Sequence, residues 1–222
     1  MTKLKVDIWS DIACPWCFIG KRRFEEGVRR YRDAGGSHEI DVEYHSFELS
    51  PDTPVDFDGS SAEFLAQHKG LPVEQLEGML RQVVQVAESV GLSYDFDALK
   101  HTNTFKAHRI LHAAKESGRQ LELVERLFSA YFEQGRHLGR DEELVSLAAE
   151  AGVDPERVSA VLAGDEYHDE VTADIAKARE YGITGVPFFV VNDTYGVSGA
   201  QDSAVFEQVL TEASREPEEV AP

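Results

Sequence analysis

Leu4, Val6 and Ile8 alternate with Lys5, Asp7 and Trp9 at the start of the chain. Alternation at period two puts one set on each face of a strand, so residues 3–9 are predicted as a buried strand. Residues 10–13 follow as a short loop. A helix is predicted from Cys14, because Pro15 suits a first turn whose N–H groups have no intrahelical acceptor. Phe18, Phe24 and Val28 recur at helical spacing among Lys21, Arg22, Arg23 and Glu25, and Gly35 with Gly36 ends that run. Alternation returns over 39–47, with Ile40, Val42 and Tyr44 on one face. Two strands joined by one helix imply a parallel pair with a crossover.

A stretch rich in Pro, Asp, Gly and Ser over 50–61 then leads away from the sheet, and the period turns helical for roughly a hundred residues. Leu76, Met79, Leu80, Val83, Val86, Ala87 and Val90 form one stripe, and Ala107, Ile110, Leu111 and Ala114 a second. Leu121, Val124, Leu127, Phe128 and Tyr131 form a third, and Leu144, Val145, Leu147, Ala148 and Ala151 a fourth. All of these read as core. Asp154-Pro155 pairs an N-cap with a first-turn proline for a short helix closed by Gly164. One more helix is predicted over 166–181. Phe188 to Val191 and Tyr195 to Ser198 then read as a hairpin turning at 192–194, before a last helix capped by Asp202 or Ser203. The order is β-α-β, a helical block, then α-β-β-α. That predicts an α/β chain, a thioredoxin-type sheet in residues 1–59 and 166–214 interrupted by an all-helical insertion over 60–165. Residues 215–222 are expected to be a disordered acidic tail.

Composition narrows the partners. A chain of 222 residues with 42% hydrophobic positions can close a good core in one or two domains. The net charge of −19 repels phosphate backbones and anionic headgroups, which argues against nucleic acid and membrane partners. No apolar run approaches the ~20 residues of a membrane span, and the N-terminal residues lack the h-region of a signal peptide. A cytoplasmic location is expected, and a homodimer is compatible with the sequence.

The chemistry centres on the two cysteines, Cys14 and Cys17. A structural disulfide framework uses more cysteines at wider separations, whereas a close pair in a reducing compartment points to catalysis or metal. A helix N-terminus offers free N–H groups and a positive dipole end that favour a thiolate. Cys14 occupies that position, and Cys17 lies about one turn on, placed to resolve a mixed disulfide. Pro15 and Trp16, between the sulfurs, are expected to tune the potential. A zinc site needs two further ligands; His108 and His112 share a helix face, but no third cysteine exists, and no metal ligand is assigned. The second feature is Gly185-Val186-Pro187 ahead of the Phe188 strand. A proline there cannot donate to a ladder, so it marks either an edge-strand start or a cis Val186–Pro187 bond. The cis form would set the Val186 backbone beside the sulfurs, where an extended substrate can pair with it.

Asp11-x-x-Cys14-Pro15-Trp16-Cys17-Phe18-Ile19-Gly20, Asn103-Thr104-x-x-Ala107-His108-Arg109, and Gly182-Ile183-Thr184-Gly185-Val186-Pro187-Phe188-Phe189-Val190 with Gly199-Ala200-Gln201 together resemble the FrnE-like branch of the DsbA family, over nearly the whole chain. The resemblance implies a thioredoxin domain with a helical insertion, Cys14 as nucleophile, Cys17 as resolving thiol, Pro187 as the cis-proline, and a helix at 103–109 facing the active site. Asn103 and His108 then become candidate substrate contacts, His108 as a neighbour of the Cys14 thiolate. The second cysteine pair of some FrnE-like proteins is missing. The same fold hosts glutathione-dependent 2-hydroxychromene-2-carboxylate isomerases and kappa-class glutathione transferases, which usually carry serine where Cys14 stands. A thiol–disulfide oxidoreductase without a tightly bound cofactor is therefore the first expectation, glutathione-dependent isomerisation or transfer the second, and a metal-binding or interaction module the third. If glutathione serves as co-substrate, Val186 would pair with its cysteinyl part, and Gln201 and Asp202 would hold its γ-glutamyl end.

Overall fold

The computed structural model describes residues 3–215; the acidic tail expected from 215 lies, beyond Arg215, outside them. Strand β1 (Lys3–Ser10) feeds helix α1 (Pro15–Asp33), which returns to strand β2 (Glu39–Ser46), parallel to β1 in the register Val6 to Val42. Helices α2 (Ser61–Lys69), α3 (Val73–Glu88), α4 (Phe105–Glu116), α5 (Gln120–Phe132), α6 (Asp141–Glu150) and α7 (Pro155–Ala163) come next, and α8 (His168–Glu180) leads back to the sheet. Strands β3 (Phe188–Val191) and β4 (Tyr195–Ser198) and helix α9 (Ser203–Ala213) complete the described residues. The sheet order is β2-β1-β3-β4, with β3 antiparallel to both β1 and β4. This is the expected α/β arrangement. Among the described residues, no helix is long and apolar enough to cross a membrane.

The alternation in β1 divides the interior. Leu4, Val6 and Ile8 join Phe189, Val191 and α1, α9 and the helical block in one continuous core. Trp9 turns to the other face, against Ala178 of α8, Ile183 and Val190. Phe18 is fully buried and stacks on Phe128 of α5, their ring centroids 5.1 Å apart; burying such a ring contributes roughly 2–3 kcal/mol. Two expected core positions are not core. Met79 is 42% exposed and Leu121 43%. Helix α3 packs chiefly on α2 and α1, so the outer arc of its wide stripe has no neighbour to cover it. In α5 it is Leu123, two residues on from Leu121, that turns inward. Helix α2 is a separate element with its own capping box, Ser60 with Glu63, within what reads in sequence as a connection and an undivided helical run.

Polar side chains finish what the apolar faces begin. The outer edge of β2 is paired at Tyr44 by the Gln120 amide, whose Oε1 accepts from the Tyr44 N–H and whose Nε2 donates to the Tyr44 carbonyl, both at 2.9 Å. A side chain thus stands in for a neighbouring strand. On the opposite face His45, stacked on Trp9, lies between two carboxylates: Asp174 Oδ1 at 2.8 Å from its Nδ1 and Asp7 Oδ1 at 2.6 Å from its Nε2. Burial works against a charge on this ring, but the two carboxylates outweigh it and raise its pKa to about 9.

A pKa raised on folding contributes stability that is complete below the unfolded value, roughly 6.5, and is lost as pH rises through the folded value. Urea unfolding should therefore show stability falling by about 2–3 kcal/mol between these limits. His45→Gln should be less stable than the parent at pH 6, with the gap narrowing toward pH 9; a gap of constant size would refute this account of the pair.

Candidate active site

The site forms where β1 ends and α1 begins. Cys14 is the N-cap of α1, with φ −90° and ψ 111°, and Pro15 is the first helical residue. The turn is closed by two backbone bonds of 3.0 Å, from the Cys14 N–H to the Asp11 carbonyl and from the Cys17 N–H to the Cys14 carbonyl. Both cysteines are free thiols, 3% and 2% exposed. Trp16 between them is 40% exposed and forms the outer wall. Tyr94, in the segment after α3, donates its hydroxyl to the Pro15 carbonyl at 2.7 Å and so ties the helical block to the Cys14–Cys17 turn.

The loop before β3 faces this turn. The Val186–Pro187 peptide is cis, and the Cys14 Sγ–H donates to the Val186 carbonyl at 3.4 Å. Close approach depends on Gly20, one turn along α1 from Cys17. A Cβ there would stand 2.9 Å from Pro187 Cγ and 3.5 Å from Ala200 Cβ. Arg23, one further turn on, donates to the Ala200 carbonyl at 2.6 Å, which holds the 199–202 loop against α1.

Beneath the turn lies Asp11, 1% exposed. Its Oδ1 accepts from the Ala13 N–H at 3.1 Å and the Thr104 hydroxyl at 2.9 Å, and its Oδ2 from the Leu49 N–H at 2.8 Å. Burial opposes its charge, yet the His108 ring beside it and these donors hold its pKa below the ordinary carboxylate value. Cys17 behaves in the opposite sense. Burial, and then the neighbouring Cys14, push its pKa well up, against smaller opposing effects of the Ser10 hydroxyl and the Asp11 backbone N–H.

The remaining expected site residues fall in three places. Gln201 and Asp202 stand at the start of α9, where Asp202 caps the helix by accepting from the Ala204 N–H at 2.9 Å and Gln201 Nε2 donates to the Ser198 carbonyl at 2.8 Å. Asn103 supports the start of α4: its Oδ1 accepts from the Phe105 N–H at 2.9 Å and its Nδ2 donates to the Pro51 carbonyl at 2.8 Å. His108 is 2% exposed, so the expectation that it meets substrate is corrected. An inward-facing ring at the second turn of α4 has its Nε2 at 3.5 Å from Asp11 Oδ1. His112 faces a different carboxylate, Asp174 Oδ2 at 3.2 Å, so the two histidines do not converge on one point. Tyr94 and Ser10 carry no signal in the sequence, whereas Asp11, three residues before Cys14, and Thr104, next to Asn103, stand there only as positions within the motifs.

Residues 5–211, which hold the strand, both cysteines, the apposed proline loop and the helical block, match the model of the DSBA-like thioredoxin domain. The chain belongs to that family. A probable DsbA oxidoreductase from Streptomyces coelicolor is 41% identical, with a TM-score of 0.90 over 99% of this chain and 93% of that one. YwbO of Bacillus subtilis is 28% identical over 95% of this chain and 97% of its own. The cytosolic disulfide reductase DsbM from Pseudomonas aeruginosa, whose structure contains glutathione, shares the fold at 16% identity, with a TM-score of 0.59 over 95% of both chains.

In this DSBA-like domain the fit of α1 against Pro187 is open to a direct check. Gly20→Ala should lower stability by about 1–3 kcal/mol through overpacking. Gly78→Ala in α3, where a Cβ meets nothing closer than Arg81 at 3.8 Å, should be neutral or stabilising by up to about 1 kcal/mol. Equal denaturation midpoints for the two variants would contradict the packing described.

Proposed function

We propose that the chain is a thiol–disulfide oxidoreductase in which Cys14 attacks a disulfide and Cys17 resolves the mixed disulfide that results. The observation that carries this reading is the pair of free thiols at the start of α1, with the Cys14 sulfur on the Val186 carbonyl and the Cys17 sulfur buried behind it. In the first step the Cys14 thiolate forms a bond to one substrate sulfur, and the other leaves as a thiolate. When Cys14 gives up its proton, the Val186 carbonyl loses its donor and becomes free to accept an N–H from an extended substrate, as an added strand would supply. Trp16, exposed at the rim, offers that substrate an apolar contact. Pro15 and Pro187 shape the turn and the facing loop and belong with Trp16 to the tuning of the centre.

Two cysteines and no wider disulfide framework suit a reducing compartment, and a cytoplasmic role is part of the proposal. Glutathione is the co-substrate proposed to reset the centre. Gln201 Oε1 and the Asp202 carboxylate at the start of α9 supply acceptors for its amine, and the α9 N-terminus donors for its carboxylate. The same feature favours the second reading, a glutathione-dependent isomerase or transferase, which needs glutathione bound but not the Cys14 thiol as electron donor.

With glutathione as reductant and insulin as substrate, Cys14→Ser should fall to the uncatalysed rate, and Cys17→Ser should accumulate a covalent substrate adduct visible by intact mass. A Cys14→Ser protein reducing insulin at the native rate contradicts the oxidoreductase. Conjugating or isomerising activity retained in that variant supports the second reading.

A further inference from the structure

Tyr94 belongs to the helical block, and its place beside the Cys14–Cys17 turn is fixed from both sides. The Ser93 N–H donates to a Glu133 carboxylate oxygen at 3.0 Å, and the Asp95 N–H to the Phe132 carbonyl at 2.7 Å. The Tyr94 ring, 7% exposed, stacks on Phe132 and Phe18 with centroids 4.7 and 6.2 Å apart. Its hydroxyl donates to the Pro15 carbonyl at 2.7 Å, across 79 residues of chain. In an α-helix that carbonyl already accepts from the N–H four residues on, so Tyr94 occupies its second lone pair. Burial first, and then charge on the Cys14 and Cys17 sulfurs, push the Tyr94 pKa far above the ordinary phenol value. The hydroxyl therefore stays a donor in every state of the centre.

The Pro15 carbonyl and the Trp16 N–H are the two ends of one peptide group. Trp16 is the second helical residue of α1, so its N–H has no intrahelical acceptor and lies where an N-cap side chain can accept it. The N-cap is Cys14, whose thiol makes no cap bond and donates to the Val186 carbonyl instead. Once the proton leaves, the sulfur becomes an acceptor. Resting on the oxidoreductase reading above, we propose that Tyr94 sets the redox poise of the centre through this peptide. Its hydroxyl polarises the Pro15 carbonyl, which strengthens the Trp16 N–H as a donor to the Cys14 thiolate. Tyr94 acts through a peptide group and not on the sulfur, so it is a positioning residue. The oxidised centre carries no anion for that N–H to bind. Tyr94 thus favours the reduced form and raises the reduction potential.

The test is the potential itself, measured by equilibrating the protein with glutathione at fixed pH. Cys14 and Cys17 give two electrons and two protons to one glutathione disulfide, which leaves as two glutathione thiols. Tyr94→Phe keeps the ring and its stacking and removes only the donor. Linked hydrogen bonds strengthen one another by roughly 10–30%, here on a charge-assisted bond. The equilibrium should therefore shift toward the protein disulfide by about two- to fivefold, a potential lower by roughly 10–20 mV. Placing 3-fluorotyrosine at position 94 alone, a stronger donor of nearly the same shape, should raise the potential. A hydroxyl that only fastens the helical block to α1 would stabilise both redox forms alike, lowering the denaturation midpoint of Tyr94→Phe and leaving its potential unmoved. A parent protein that shows no two-electron transition removes the oxidoreductase reading and this inference with it. A parental transition with an unchanged or raised potential in Tyr94→Phe overturns this inference alone. So does an unchanged potential in the fluorotyrosine protein, whatever the folding of Tyr94→Phe.

Discussion

One buried carboxylate sets the geometry of this molecule. Asp11 sits just past the end of β1, and an isolated charge there would cost several kcal/mol, so every acceptor position has to be filled. The donors come from three separated parts of the chain: the Ala13 N–H in its own loop, the Leu49 N–H after β2 and the Thr104 hydroxyl at the cap of α4. Satisfying Asp11 therefore docks the helical block and the β2 exit onto the turn that carries the cysteines. The same loop accepts the Cys14 N–H through the Asp11 carbonyl. Position of Cys14 and closure of the fold are one constraint.

That constraint also explains why the two sulfurs differ. Cys14 stands at the open end of α1, with a carbonyl of the facing loop as its partner. Cys17, one turn deeper, is enclosed by the strand end and Cys14, and its thiolate is disfavoured by burial before anything else acts. A pair of identical groups is thereby given two different environments, the split on which the proposed attacking and resolving roles rest. The surface charge of −19 plays no part in that split.

Much of this was legible in the sequence, and what escaped has a physical reason. Alternation in β1 and β2, Pro15 at the helix start, and the Asp154 and Asp202 caps are local signals, and each element formed where its signal lay. The parallel β1–β2 pair followed from the length of the crossover. Met79 and Leu121 misled because periodicity reports which residues share a face, not whether another element covers it. Among site residues, the cysteines and the Val186–Pro187 step announced themselves by spacing. His45, Gln120 and Tyr94 did not, since their partners lie 38 to 129, 76 and 79 residues away. His108 was visible as part of a motif, but only the fold shows that it looks inward to Asp11 and not outward to substrate.

The account stands or falls on reversible two-electron chemistry at Cys14 and Cys17. Equilibrating the purified protein across a series of glutathione redox buffers, quenching with acid and counting free thiols by alkylation and mass tests it most directly. The account predicts one transition in which both thiols disappear together into an intramolecular bond, with a potential between roughly −270 and −120 mV. Thiols that stay free across the whole series, or that end as two independent glutathione adducts, would contradict it.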